Sequence, residues 1–220
     1  AFFAAMIDLG LKVNRVSISW DPASPTTIAN QAEISAWLPQ AQASGTRIIF
    51  AVSPVTVAKQ PTMSAGAEPQ FVAFVQQLAQ TFPGVKDYVI GNEPNQPRFW
   101  APQYSSLGKP LAAAQYLPVL AGSYDALKAV DPTINVIGVG LSPRGNDQPL
   151  AKDNRSRSPV RFLRDLGQAY RLSGRTKPLM DELAFHPYPQ PQQGPPSVGY
   201  AWPTAGLAVV VAVFLYLAPQ

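Results

Sequence analysis

Near the middle of the chain stands the segment Tyr88-Val89-Ile90-Gly91-Asn92-Glu93-Pro94-Asn95. Strand-forming residues run into a turn there, so the Glu93 carboxyl emerges at the C-terminal edge of a sheet. A carboxyl group in such a place, kept protonated by apolar and aromatic walls, serves as a general acid toward a leaving oxygen. The neighbouring Asn92 amide is placed to hydrogen-bond a hydroxyl beside the reacting carbon. The plainer alternative is a turn with a surface carboxylate, which a tripeptide such as Asn92-Glu93-Pro94 by itself also fits.

Two other segments carry polar groups on strand-like stretches. In Val13-Asn14-Arg15-Val16-Ser17-Ile18-Ser19-Trp20, Arg15 alternates with Val16 and Ile18. Arg15 therefore either supports a reacting carboxylate or faces the interior paired with one such as Glu93. In Phe185-His186-Pro187-Tyr188 the only histidine of the chain sits at a strand end. It is a candidate for contacting substrate or a nucleophile, or else an ordinary structural hydrogen-bonder. Trp20, Phe99, Trp100, Tyr188 and Trp202 are candidates for stacking on apolar ring faces, and each is equally an ordinary core aromatic. Trp100 falls in the long loop 92–109, which favours it as a platform; for Trp202 both readings stand.

The elements that must position these residues alternate regularly. A helical face over 2–9 ends at Gly10, and a β-branched strand follows over 13–20. Helix 28–44 stops at Gly45, strand 47–52 leads to helix 68–81 with Pro69 in its first turn, and strand 88–91 follows. Helix 110–130 contains Pro118, which predicts a kink. Strand 135–139 precedes a helix with Ser158 as N-cap and Pro159 at its first position, and 183–185 is the last clear strand. Five strands at intervals of about 33 to 48 residues, alternating with helices, imply βαβ units in a parallel sheet. No Gly-x-Gly-x-x-Gly or Gly-Lys-Ser/Thr loop follows any strand, which removes nucleotide-binding open sheets. The expected fold class is α/β, a (β/α)8 TIM barrel that is incomplete, with roughly strands two to six present, since a whole one needs about 250 residues.

In combination the three segments resemble clan A glycoside hydrolases of the family 5 and family 39 kind, the cellulase and β-xylosidase type of barrel. Gly91-Asn92-Glu93-Pro94-Asn95 is similar to their fourth-strand motif, 13–20 to their second strand, and Phe185-His186-Pro187-Tyr188 to their sixth-strand His-x-Tyr. The resemblance covers about residues 1–189. It implies a retaining enzyme acting on a β-linked glycan with Glu93 as acid/base, Arg15 supporting the nucleophile, and Asn92, His186, Tyr188, Trp100 and Trp20 about the substrate. No metal and no cofactor is implied, and the expected partner is an oligo- or polysaccharide.

The family's second carboxylate is a Glu on its seventh strand, yet no Asp or Glu occurs beyond Glu182. Asp181 and Glu182 precede their strand and so belong at the opposite face, while Asp147 and Asp153 lie on the correct face without a family counterpart. The chain is accordingly expected to be a partial barrel, inactive alone for lack of a nucleophile. A sugar-binding barrel remnant, or a protein tethered to a membrane through its C-terminal apolar run, are the alternatives.

The composition agrees with a globular domain: 220 residues, 46% hydrophobic and 14% charged, with a net charge of +4. The basic stretch from Lys152 to Arg164 contains Asp153 and a single aromatic, Phe162, and reads as a solvated loop entering a helix, so no nucleic acid partner is expected. Absence of Cys and a single His exclude disulfides, thiolate sites and multi-histidine metal clusters. Residues 1–6 carry no basic leader pattern; the glycan substrate class points to an extracellular parent protein. Residues 190–220 form a Pro/Gly-rich segment and an apolar tail. The run from Leu207 to Ala218 is shorter than the about 20 residues a membrane span requires, so a membrane role is not expected, and the oligomeric state is left open.

Overall fold

A computed structural model describes residues 2–188 apart from 58, 59, 62, 64 and 65. The tail expected over 190–220, with Trp202 in it, and the boundary expected at 189/190 lie outside the described residues.

The first elements are α1 (Phe2–Asp8), β1 (Val13–Trp20), α2 (Gln31–Ala43) and β2 (Arg47–Pro54). A small hairpin follows, β3 (Thr56–Val57) and β4 (Gln60–Pro61), then α3 (Glu68–Thr81) and β5 (Asp87–Ile90). The remainder is α4 (Ala112–Val130), β6 (Asn135–Leu141), α5 (Pro159–Leu172) and β7 (Glu182–Phe185). The five long-range strands pair in parallel in the order β1-β2-β5-β6-β7. That order is sequential and never reverses, so among the described residues the sheet has no switch point of the doubly wound kind.

Strand parity shows which way the arc curves. Ile18 and Trp20 of β1, Phe50 and Val52 of β2, and Tyr88 and Ile90 of β5 join one core with α2 to α5. The intervening residues Ala51, Val89 and Ile137 form a second, small cluster on the other face, flanked by Ile49 and Ala184. Helices thus cover one face and small apolar side chains line the other, which is the layout of a TIM barrel. The barrel is incomplete: among the described residues β1 and β7 each pair with a single neighbour.

Several local signals act as their chemistry dictates, and others are overridden. Gly45 ends α2 at φ +69, a conformation that a side chain disfavours. Helix α4 runs unbroken through Pro118, and α2 likewise contains Pro39. Ser158 precedes α5 in extended conformation, yet its side chain makes no capping bond. Asp147 Oδ1 accepts the N–H of Ser158 itself, at 2.9 Å. The β3–β4 hairpin has no counterpart in the sequence pattern. No helix among the described residues is long and apolar enough to cross a membrane.

Trp20 is a correction. It is fully buried, edge-on to Phe71 at 5.4 Å, with its indole N–H donating to the Pro25 carbonyl at 3.2 Å. Its position on the helix side of β1 leaves no ring face for a ligand.

Candidate active site

The C-terminal ends of β5, β6 and β7 meet in an unusual stretch of backbone. Gly91 adopts φ +82, where a Cβ would stand 3.2 Å from Tyr116 Cε2. Two residues on, Glu93 adopts φ 43, and Val139 and Gly140 of β6 take φ 62 and φ 45. Left-handed backbone at non-glycine residues is costly and survives only where surrounding contacts over-determine it. Those contacts are present. The Glu93 N–H donates to the Gly140 carbonyl at 3.0 Å, and the Gly91 N–H to the Val52 carbonyl at 2.7 Å. From α4, the buried Tyr116 hydroxyl donates to the Ile90 carbonyl at 2.5 Å and accepts the Val139 N–H at 3.1 Å. Burial pushes the Tyr116 phenol well above its ordinary value, so it stays a neutral donor.

These constraints aim the Glu93 side chain over Gly140 toward β7, where Glu93 Oε1 and His186 Nδ1 are 2.8 Å apart. The pair joins two strands that are not neighbours. Gly140 of the intervening β6 has no side chain to obstruct it, and a Cβ there would lie 3.6 Å from His186 Nε2. Both side chains are mostly shielded, at 14% exposure for Glu93 and 19% for His186. With Nδ1–H donating to Oε1, the second carboxyl oxygen has no partner among the described residues and is left for a ligand.

Asn95, which the sequence pattern did not single out for a role, holds the loops in place. It is completely buried, and its Nδ2 donates to the carbonyls of Ser142 (3.0 Å), Arg144 (3.2 Å) and Arg157 (3.0 Å). Its Oδ1 accepts the Ser142 N–H at 3.0 Å. The loop after β5 is thereby locked to the loop after β6. Gln103 extends the lock by donating to the Pro94 and Trp100 carbonyls at 2.8 and 2.7 Å, and the Tyr104 hydroxyl reaches the Ser156 carbonyl at 3.2 Å. The only advance signal for Asn95 was its place in Asn92-Glu93-Pro94-Asn95.

The other candidate residues divide. Tyr188 is half-exposed, with its ring edge against His186 at 5.9 Å. Asn92 is partly buried, and its amide makes no hydrogen bond among the described residues. Arg15 points to the open face of β1, exposed and without an ion-pair partner among the described residues, so it is not paired with Glu93. Trp100 is a second correction. It is 6% exposed, edge-on to Tyr116 at 5.5 Å, and lines a cavity of about 390 Å³ with Met63, Glu68, Gln115 and Pro118. That cavity lies toward the tops of α3 and α4 and contains neither Glu93 nor His186. The long loop folds outward over helices, carrying the ring away from the strand ends.

Of the other carboxylates considered for the site, Asp153 is exposed with no ion pair among the described residues, whereas Asp147 and Asp181 are committed. Asp147 is bound to Arg157 (3.3 Å), Arg161 (3.4 Å) and the Ser158 N–H. Asp181 accepts from Lys128 at 2.8 Å and from the Val136 N–H at the start of β6, so it belongs to the opposite end of the sheet. Among the described residues no group of three or more His, Cys, Asp or Glu is placed to hold a metal ion.

No family model matches the sequence, and no curated protein sequence is similar to it. Solved structures share its fold. A glucosidase from Croceicoccus marinus superposes with a TM-score of 0.55 at 16% identity, over 84% of this chain and 38% of that one. A family 39 glycoside hydrolase from Bacteroides cellulosilyticus WH2 gives 0.56 at 16% identity, over 84% and 34%. The GH53 catalytic domain of Ignisphaera aggregans gives 0.52 at 17% identity, over 86% and 52%. The chain thus has a glycoside-hydrolase-like fold, an arc of a TIM barrel. It spans about a third to a half of the length of these structures.

Proposed function

We propose that this chain is the acid/base portion of a retaining β-glycoside hydrolase of clan A, acting on an extracellular oligo- or polysaccharide. The observation that carries the proposal is the Glu93–His186 pair, 2.8 Å apart at the C-terminal strand ends and shielded from water. In the first half-reaction the nucleophile's carboxylate bonds to the anomeric carbon while the glycosidic C–O bond breaks. Glu93 gives its proton to the departing oxygen. In the second, Glu93 as carboxylate takes a proton from water, the water oxygen bonds to the anomeric carbon, and the ester to the nucleophile breaks. His186 holds Oε1, so the proton travels through the other oxygen. Asn92, with its amide open, meets the hydroxyl beside the anomeric carbon, and Tyr188 borders the same space.

Asp147 and Asp181 are engaged elsewhere, and the resemblance offers no counterpart of the second carboxylate on the strands described, so the chain alone is expected to lack turnover and to be rescued by an added nucleophile. Purified chain is incubated with 4-nitrophenyl β-glycosides of glucose, galactose, mannose and xylose, with and without sodium azide. The expected result is silence without azide. With azide, 4-nitrophenol and an α-glycosyl azide form, as azide nitrogen bonds to the anomeric carbon and Glu93 protonates the leaving oxygen. Because 4-nitrophenolate leaves with little help from an acid, the acid role is read on the matching methyl β-glycosides, where Glu93→Gln should reduce the rescued rate by about 10²–10⁴. Turnover without azide would refute the missing nucleophile. Rescue of the methyl glycosides unaffected by Glu93→Gln would refute the acid assignment, and no rescue on any sugar would refute a working half-site.

A further inference from the structure

Charges are distributed unevenly between the two ends of the sheet. At the N-terminal end Arg47 meets Asp87, Lys86 meets Asp131, Lys128 meets Asp181 and Arg175 meets Asp125. At the C-terminal end, where Glu93 stands, Arg98, Lys109, Arg144, Lys152 and Arg155 have no carboxylate within ion-pair distance among the described residues. Exposed Asp153, between Lys152 and Arg155, offsets one of these charges, and the excess of unpaired cations around the strand ends raises the local concentration of anions.

One of them borders a cavity. A space of about 280 Å³ opens between the loop after β5 and the loop after β6, lined by Pro97, Pro102, Gln103, Tyr104, Asn154 and Arg155. Gln103 in its wall donates to the carbonyl of Pro94, the residue after Glu93, at 2.8 Å, although neither Glu93 nor His186 lines the space itself. Gln103 is 3% exposed and both its donors are used within the loop, yet its buried Oε1 has no partner among the described residues. A buried acceptor left unsatisfied is expensive and marks a place where a donor is wanted. The cavity therefore combines an exposed guanidinium, an amide whose side chain is uncommitted, and the rings of two prolines and a tyrosine, with the orphan acceptor of Gln103 buried behind its wall. Its volume approaches the smaller ligand pockets of proteins, about 300 Å³.

We propose that this cavity is a subsite for a sugar residue bearing a carboxylate, so that the glycan handled at Glu93 is a uronate-containing one. The proposal rests on the glycosidase assignment above. Arg155 takes the carboxylate through paired N–H donors, the arrangement a guanidinium fork favours. A sugar hydroxyl pairs with the uncommitted Asn154 side chain, and the apolar ring face lies against Pro97 and Pro102. A neutral hexose would meet the same walls but leave Arg155 without its anion.

The test is binding of β-1,4-linked mannuronate and mannose trisaccharides, which differ only in oxidation at C6, measured by titration calorimetry on the 220-residue chain. The acidic trisaccharide is expected to bind about tenfold more tightly or better, a preference that shrinks as salt is raised. Arg155→Gln keeps a donor but removes the charge and should bring the two ligands to parity without weakening the neutral one. Lys12→Ala, a charge removed at the opposite end of the sheet, should leave the preference intact. Parity in the unaltered chain would overturn the subsite, leaving Glu93 to be judged by the azide experiment. A preference eroded equally by Lys12→Ala would show bulk charge alone and overturn it as well, and so would failure of the acidic trisaccharide to bind.

Discussion

Asn95→Ala should unlock the two loops that frame Glu93, and its cost can be worked from the contacts. The Asn95 amide nitrogen has two hydrogens shared among three carbonyls at 3.0 to 3.2 Å, and its oxygen accepts the Ser142 N–H at 3.0 Å. That amounts to three full hydrogen bonds at about 1 kcal/mol each. The buried Ser142 N–H is then left without an acceptor, which adds about 1–2 kcal/mol. The Arg144 carbonyl keeps its second donor, Gln96, and loses least. The expected destabilisation is about 3–5 kcal/mol, a large share of an ordinary domain's stability of about 5–15 kcal/mol. Asn95→Asp provides a sharper comparison. It preserves the acceptor for Ser142 but turns a carboxylate oxygen toward three carbonyl oxygens. Burial and that repulsion raise the introduced carboxyl's folded pKa above its unfolded value of about 3.9. Below that value both states are protonated and the charge penalty is absent. It grows as pH rises through it. Urea unfolding followed by tryptophan fluorescence and circular dichroism, each variant against the unaltered chain at the same pH, measures both. N95A should lose about the same amount at pH 4 and pH 7, and N95D should lose clearly more at pH 7. A loss below about 1 kcal/mol for N95A, or a flat pH response for N95D, would show that Asn95 is not the lock.

Two further outcomes follow from the same contacts. Burial pushes the Asp87 carboxyl up, but Arg47 Nε at 2.8 Å and Asn135 Nδ2 at 2.9 Å outweigh it, so its folded pKa is below the usual range. A depressed carboxylate contributes stability above its unfolded pKa and loses it as pH falls through the folded one. Asp87→Asn should therefore cost about 1–2 kcal/mol at pH 7, reduced by the solvent screening of half-exposed Arg47, and the gap to the unaltered chain should close in urea melts toward pH 2. Trp20→Phe should lower stability by about 1–3 kcal/mol through lost packing and the lost Pro25 bond, with saccharide affinity unchanged in calorimetry. A fall in affinity at constant stability would return Trp20 to the ligand site.

Much of the architecture was legible in the sequence, because the signals are local. Period-2 alternation in 13–20, the Gly45 stop, Pro159 after Ser158 and the regular strand–helix cycle each depend on a few residues and their own backbone. The emergence of Glu93 at a strand end also follows from a strand running into Gly91-Asn92-Glu93-Pro94. What the local pattern left open was which face a side chain takes and which distant group it meets. Trp20 and Trp100 have the chemistry of a sugar platform, but the first falls on the helix side of β1 and the second is carried out over α3 and α4. Asn95 looked like the end of a motif, and only the approach of the loop after β6 made it a four-bonded clamp. Ser158 starts α5 without a capping bond from its side chain, and Asp147 meets its backbone N–H because the same loop folds back on itself. The Glu93–His186 contact joins residues 93 positions apart across an intervening strand. Its geometry depends on Gly140 being bare and on Tyr116 reaching in from α4, relations that exist only once the strands lie side by side.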